Sequence, residues 1–326
     1  QLNLQGDLKP EGDWPVQLQG QVQLPAVEGK PWQVALNATG ELQKTLNLTG
    51  TSSGYLDATL TGQLQALAEH LPATLQIRSA AFKPADTLPD TLQLDQLVLD
   101  AQGNLNDGYA LSGSASLPAR QGPIPLALSG IVDSKGAKLN GLDLTASDTQ
   151  RVKLQASVDW QNGLAADAQL AWQAFPWLRL YPRDAPPQVS LKRLDAGVNY
   201  RDCHYQGTFK RHLEGPRGAL RLASPFGVDR RPASLPKLAL SAGQGKAAGS
   251  VAVRFAEGVA WDVDLQLSAL NPAYWVAELP GTLAGPLRSN GDMPATPRHP
   301  HAQPALHPPL ARPPAPLEPL AHRSPL

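Results

Sequence analysis

Cysteine occurs once in this sequence, at Cys203, so no intrachain disulfide forms and disulfide usage says nothing about the compartment. Aromatic residues make up only 6% of the 326 positions, which leaves Leu, Val and Ala to supply most of the apolar surface. That composition suits a repetitive aliphatic wall better than a core organised around large rings. Net charge is absent as well: the formal balance is +0, so no global field draws the chain to nucleic acid or anionic lipid, and no nucleic-acid partner is expected. No apolar run approaches the ~20 residues of a membrane-spanning helix, because polar residues interrupt each Leu-rich segment at the second position. The opening residues, QLNLQGDL, start in mid-pattern with neither an initiating Met nor a signal-peptide profile, and read as a piece of a longer polypeptide.

What is present is alternation. VQLQGQVQL (16–24) places Val16, Leu18, Gly20, Val22 and Leu24 on one side of an extended strand and glutamines on the other. The pattern recurs in LNLTGT (46–51), LDATLTGQL (56–64), YALSGSASL (109–117), LALSGIV (126–132), VKLQASVDW (152–160) and WDVDLQLSA (261–269). Period two over such lengths marks strands with one covered and one solvated face. Segments rich in turn formers separate them: DLKPEGDWP (7–15), EGKP (28–31), NDG (106–108), DSKG (133–136) and QNG (161–163). The chain therefore reads as a long series of hairpins or a meander. Only QLQALAEHL (63–71), with Leu64, Leu67 and Leu71 three or four apart, offers a short helix.

Glycine adds a second regularity. Gly6 shares a face with Leu4 and Leu8, Gly50 follows Leu46 and Leu48, Gly62 lies between Leu60 and Leu64, Gly113 between Leu111 and Ala115, and Gly130 between Leu128 and Val132. Gly281 and Gly285 alternate with Leu279, Leu283 and Leu287. Glycine weakens a strand interior, so its repeated place in mid-strand on the apolar side calls for a use. Two uses fit, a sharp bend of the sheet or room for something to approach, and the alternative is a bulge or corner glycine of an ordinary sandwich or β-helix.

Composition divides the chain into 1–169, a repetitive strand segment; 170–188, an aromatic and proline-rich connection; 189–291, a second strand segment; and 292–326, a proline-rich tail expected to be disordered. The connection concentrates Trp172, Phe175, Trp177 and Tyr181 ahead of Pro182, Pro186 and Pro187. Within the second segment, 201–236 alternates poorly and is crowded with Arg211, Arg217, Arg221, Arg230 and Arg231. The tail is either a natural linker or the product of a shifted reading frame in a GC-rich gene.

Catalytic constellations are weak. GQGKAAG (243–249) lacks the P-loop's first glycine and its hydroxyl, since Leu240 and Ala247 stand there, and it reads as a turn. Cys203 and His204 are adjacent and would point to opposite faces of a strand, which separates a thiol from its base. His299, His301 and His307 lie in the tail, where a metal would have to order a flexible chain. NAT (37–39) and NLT (47–49) match the glycosylation acceptor, which matters only in a eukaryotic secretory setting. Asp262 and Asp264 share a face and read as its solvated side. No enzyme, cofactor or metal site is expected.

VDLQLSALNPAYWVAELPGTLAGPLRSNG (263–291) resembles the recurring signature of the TamB family, in the AsmA-like group of bacterial envelope proteins. There an alternating strand leads to an Asn-Pro or Asp-Pro turn and then to a PGxLxG strand, matched by Asn271, Pro272, Pro280, Gly281, Leu283 and Gly285. LDATLTGQLQALAEHLPATLQIRS (56–79) and LALSGIVDSKGAKLNGLDL (126–144) share the family's cadence. The resemblance implies a mainly β fold, a long antiparallel repetitive sheet bent into a U-shaped trough (β-taco) with an aliphatic interior. It further implies an inner-membrane-anchored protein of the Gram-negative periplasm that carries phospholipid to the outer membrane. In addition it implies help in outer-membrane protein assembly with the barrel protein TamA, through regions other than residues 1–326.

Phospholipid acyl chains would then lie along the apolar, glycine-bearing side. The lining residues of that groove are Leu18, Gly20, Val22, Leu24, Leu60, Gly62, Leu64, Leu111, Gly113, Leu128, Gly130, Val263, Leu265, Leu267, Gly281, Leu283 and Gly285. Two rival readings are a structural or adhesive β-solenoid of a secreted passenger protein, and an outer-membrane barrel. The second lacks the expected aromatic girdles. At ~14 residues per strand and turn, residues 1–291 amount to roughly 20 strands.

Overall fold

The computed structural model of the chain describes residues 2–161, 163–183, 185, 187–202, 204–229, 232–255 and 258–294. The readings attached to Cys203, to Arg230 and Arg231 and to the three tail histidines fall outside them, as does the tail beyond residue 294. Alternation becomes strand after strand: β1 (Leu2–Leu8), β2 (Pro15–Val27), β3 (Lys30–Glu41), β4 (Leu46–Gly54), β5 (Ala58–Leu64) and β6 (Ala73–Phe82). There follow β7 (Leu94–Asn104), β8 (Gly108–Leu117), β9 (Ile124–Val132), β10 (Gly136–Ser147), β11 (Gln150–Asp159), β12 (Ala165–Gln173) and β13 (Ser190–Arg201). The series ends with β14 (His204–Gly215), β15 (Gly218–Asp229), β16 (Pro232–Ala242), β17 (Gly245–Phe255), β18 (Gly258–Leu270) and β19 (Leu283–Pro294).

All 19 strands belong to one sheet. Each pairs antiparallel with its neighbour in sequence, from Gly6 opposite Leu18 in β1 and β2 to Leu265 opposite Leu287 in β18 and β19. This is an uninterrupted meander, the simplest topology to connect because each tight turn joins strands that are adjacent in space. With neighbours ~4.8 Å apart the sheet runs on the order of 90 Å. It is open and uncurled, with no pairing between β1 and β19 among the described residues. The antiparallel meander does not have the stacked parallel coils of a solenoid, and its open ends do not make a barrel.

Two departures from the sequence reading concern whole segments. Residues 63–71 form no helix: Leu64 ends β5 opposite Leu46 and Ala73, and the rest is a loop closed by Gln65 N–H donating to Pro72 O at 3.0 Å. So few residues cannot sustain a helix that has no face to bury. Residues 201–236 hold β14, β15 and the start of β16 despite their poor alternation.

Hairpin connections on the two long margins differ in kind. One margin carries the turns from β1 to β2, β3 to β4 and so on. The opposite margin carries three longer connections, each with a single 3-10 turn: Asp90–Leu92 between β6 and β7, Trp177–Arg179 between β12 and β13, and Pro272–Tyr274 between β18 and β19. Most of the buried apolar residues gather beneath the second and third. Leu117, Ala119, Ile124, Phe175 and Leu180 make one cluster, and Leu220, Ala242, Ala247, Leu267 and Leu270 make the other. Near the first, Tyr55 bridges Trp32 and Phe82, with centroids 5.4 Å from each, and Lys30–Asp86 and Lys83–Asp90 ion pairs tie down the segment from 83 to 93. Three plugs thus wall one margin of the sheet.

Candidate functional site

Register decides which side chains share a face. Across β1 to β5, Leu4 lies opposite Gly20, Gly20 opposite Leu36, Leu36 opposite Gly50, and Gly50 opposite Leu60. The same row continues through Ile77, Leu99, Gly113, Leu128, Leu142, Leu154 and Leu170. A parallel row runs Gly6, Leu18, Ala38, Leu48, Gly62, Leu75, Ala101, Leu111 and Gly130. Bulges, as between Leu139 and Gly141 in β10, reset the phase so that the apolar side stays apolar.

Of the groove residues expected from sequence, register carries Leu18, Gly20, Val22, Leu24, Leu60, Gly62, Leu64, Leu111, Gly113, Leu128 and Gly130 onto this one face. Val263 opposite Val251, Leu265 opposite Gly249 and Leu267 opposite Ala247 extend it to β18. Leu283 opposite Leu270 and Gly285 opposite Leu267 bring in β19. Gly281 does not join: it precedes β19, and its apparent phase with Leu283 belongs to a loop. The other face is polar, with Gln17, Gln19, Gln21 and Gln23 exposed along β2 and Asp262 and Asp264 exposed along β18.

Away from the plugs the apolar face is only half covered. Leu18, Val22, Leu60 and Leu111 are neither buried nor fully exposed, while Leu36 is 39% and Leu4 67% exposed. The glycines explain the packing that exists. A Cβ on Gly113 would stand 2.7 Å from Leu99 Cδ2 and 2.9 Å from Leu128 Cδ2, so the leucines on both sides lie over the glycine. A Cβ on Gly50 would stand 2.7 Å from both Ala35 O and Leu36 Cδ2. Gly20 is different, since its Cβ would meet Leu4 Cδ1 at an ordinary 3.5 Å.

Charge is nearly excluded from the strand interiors on this face. Arg211 is the exception among the described residues: it pairs with Leu194 and Leu222, in phase with Phe209 and Leu213, and its Cζ sits 5.1 Å from the Phe209 ring centroid. The signal was present in YQGTFKRHL (205–213), where period two runs Tyr205, Gly207, Phe209, Arg211, Leu213. The charge at Arg211 hides the strand.

Under the second plug the face opens into a cavity of about 720 Å³. Trp172, Phe175 and Trp177 are its aromatic lining, and Arg120, Arg179, Arg183 and Lys192 also line it. Trp177 stacks on Tyr181, with planes 5° apart, and lies 6.5 Å from Trp172. Arg179 caps the β8–β9 turn, its guanidinium donating to Arg120 O and Gly122 O at 2.8 Å each. Trp172 Nε1 is buried without an acceptor among the described residues, an arrangement that costs about 1–3 kcal/mol.

Among the described residues no group of three or more His, Cys, Asp or Glu is placed to hold a metal ion, and no helix is long and apolar enough to cross a membrane. Comparison with curated proteins and with solved structures returns no match. The TamB N-terminal domain family matches residues 1–198 and again residues 181–298, so its two matches together span the whole described sheet. This chain belongs to the TamB family.

Proposed function

We propose that the apolar face is a conduit for phospholipid acyl chains between the inner and outer membranes of a Gram-negative envelope, and that the chain acts without catalysis. Membership of a family involved in envelope lipid transport and assembly supports the first part. The observation that carries it is the continuity of the apolar rows, from Leu4 and Leu18 in β1 and β2 to Leu265 and Leu287 in β18 and β19. An acyl CH₂ costs about 0.8 kcal/mol in water, so a chain of ~16 carbons loses on the order of 12 kcal/mol on leaving a bilayer unaided. Half-covered aliphatic rows offset much of that without fixing the chain at one place.

In the same reading the protein stands in the periplasm. It is anchored in the inner membrane and meets the outer-membrane barrel TamA. Through that contact it supports outer-membrane protein assembly. The test is mass spectrometry of the chain purified from a Gram-negative host without detergent. Co-purifying phospholipid, lost when Leu18, Leu60 and Leu111 are changed together to Asp, is the expected result. A lipid-free protein that acquires none from added vesicles would overturn the proposal.

A further inference from the structure

We infer that the cavity beneath the second plug is a docking station for the headgroup of an anionic phospholipid whose acyl chains lie along the apolar rows. This rests on the conduit reading and adds to it a place where the lipid pauses. Its rim carries Arg120, Arg179, Arg183 and Lys192 and, among the described residues, no carboxylate. Arg120, Arg183 and Lys192 have no ion-pair partner among those residues. Arg179 directs its donors to backbone carbonyls, which leaves its charge uncompensated. Asp184 adjoins Arg183 in sequence and lies outside the described residues; with its charge counted, the rim is still cationic.

Arg211 adds a second observation from a different element. It stands in the same row as Trp172, through Leu194, two strand intervals or about 10 Å away. The single cation that the described residues place in the strand interiors of the apolar face thus stands two strands from the cavity's Trp172, outside the cavity lining and with its guanidinium over the Phe209 ring. Elsewhere in the described strand interiors of that face a phosphate meets aliphatic side chains, glycine, rings and a few hydroxyls such as Ser52 and Ser289, and no cation. Guanidinium groups make charge-assisted, often paired hydrogen bonds to phosphate oxygens, and Trp rings suit the boundary between headgroup and chain. A lining that joins cations to aromatic rings and is continuous with aliphatic rows is complementary to an anionic amphiphile and to neither of its halves alone.

The test measures binding of the whole chain to three probes by native mass spectrometry and fluorescence: short-chain phosphatidylglycerol, diacylglycerol with the same acyl chains, and water-soluble glycerol phosphate. Phosphatidylglycerol should bind about tenfold more tightly than diacylglycerol, with an excess that shrinks as salt is raised, and glycerol phosphate should not bind measurably. Arg183→Glu with Lys192→Glu, and separately Arg211→Gln, should each remove most of that excess while leaving diacylglycerol binding within about twofold. The diacylglycerol arm reports whether the groove is intact in each variant. Equal binding of the two lipids, or equal loss of both in the variants, would overturn the docking station while leaving the conduit standing. Tight binding of glycerol phosphate would assign the cavity to a soluble phosphate instead, and failure of both lipids to bind would remove the conduit and the station together.

Discussion

A methyl group at Gly50 meets backbone, at Gly113 the movable ends of two leucines, and at Gly20 only an ordinary contact, and this difference assigns the glycines their work. In-phase glycine reads from sequence as a bend or as space for a ligand. Register shows something more local: at Gly50 and Gly113 a cross-strand leucine already occupies the vacancy, so glycine and leucine pack as a gap and its filling. Gly50→Ala should therefore destabilise the protein by about 1–3 kcal/mol, through overlap with Ala35 O and Leu36, and lower the urea midpoint. Gly20→Ala should be neutral or stabilising by up to about 1 kcal/mol, because the strand gains propensity at no steric cost. Gly20 alone of these three has room for a Cβ without overlap, at ordinary contact distance from Leu4. Gly20→Leu should then reduce lipid occupancy more than Gln19→Leu, which alters the polar face; equal effects would deny Gly20 its place in the groove.

At the scale of elements, strands were legible and plugs were not. Period-two alternation is a local signal, set by neighbours in sequence, and it survives into β2, β4, β5, β8, β9, β11 and β18. The plugs depend on contacts distant in sequence: Leu180, fully buried, packs with Leu117 and Ile124, and Tyr274 approaches Gly243 from another hairpin. Proline and aromatic content pointed to a connection over 170–188, of which the structure keeps Leu170 to Gln173 in β12, and Asn271-Pro272 marked a turn. Nothing local said that all three long connections share one margin; that follows from counting strands. The helix expected over 63–71 failed because Leu64 was already committed to β5. Leu180→Ala should cost about 2–5 kcal/mol, while Leu67→Ala, at a side chain 58% exposed in the loop that replaced the helix, should change the urea midpoint little.

The first plug carries a pH signature. Lys83 hydrogen-bonds Asp90 at 2.8 Å and holds its carboxyl below the ordinary range. A depressed folded-state value means that the contact contributes above the unfolded carboxylate pKa and fades as pH falls through the lowered one. Asp90→Asn should flatten that acid-side loss, followed by hydrogen exchange across 83–93 between neutral and acid pH.

For the whole molecule, the consequence of one open sheet is that covering the apolar face is left unfinished. Burial is concentrated under the second and third plugs, and elsewhere along a sheet on the order of 90 Å long the aliphatic rows stay half covered. A soluble monomer seldom tolerates a continuous apolar patch on that scale without a ligand or partner for it. In the proposed reading lipid is that occupant, because it needs no site-specific contact, and the cationic cavity is the proposed stopping place of its headgroup. The most direct test of the central claim places a photo-crosslinking residue at Leu18, Leu60 or Val263 on one face and at Gln19 or Asp264 on the other, in cells, and asks which captures phospholipid. Capture at the first three and not at the last two is the predicted result; equal labelling of both faces would contradict a conduit on the apolar side.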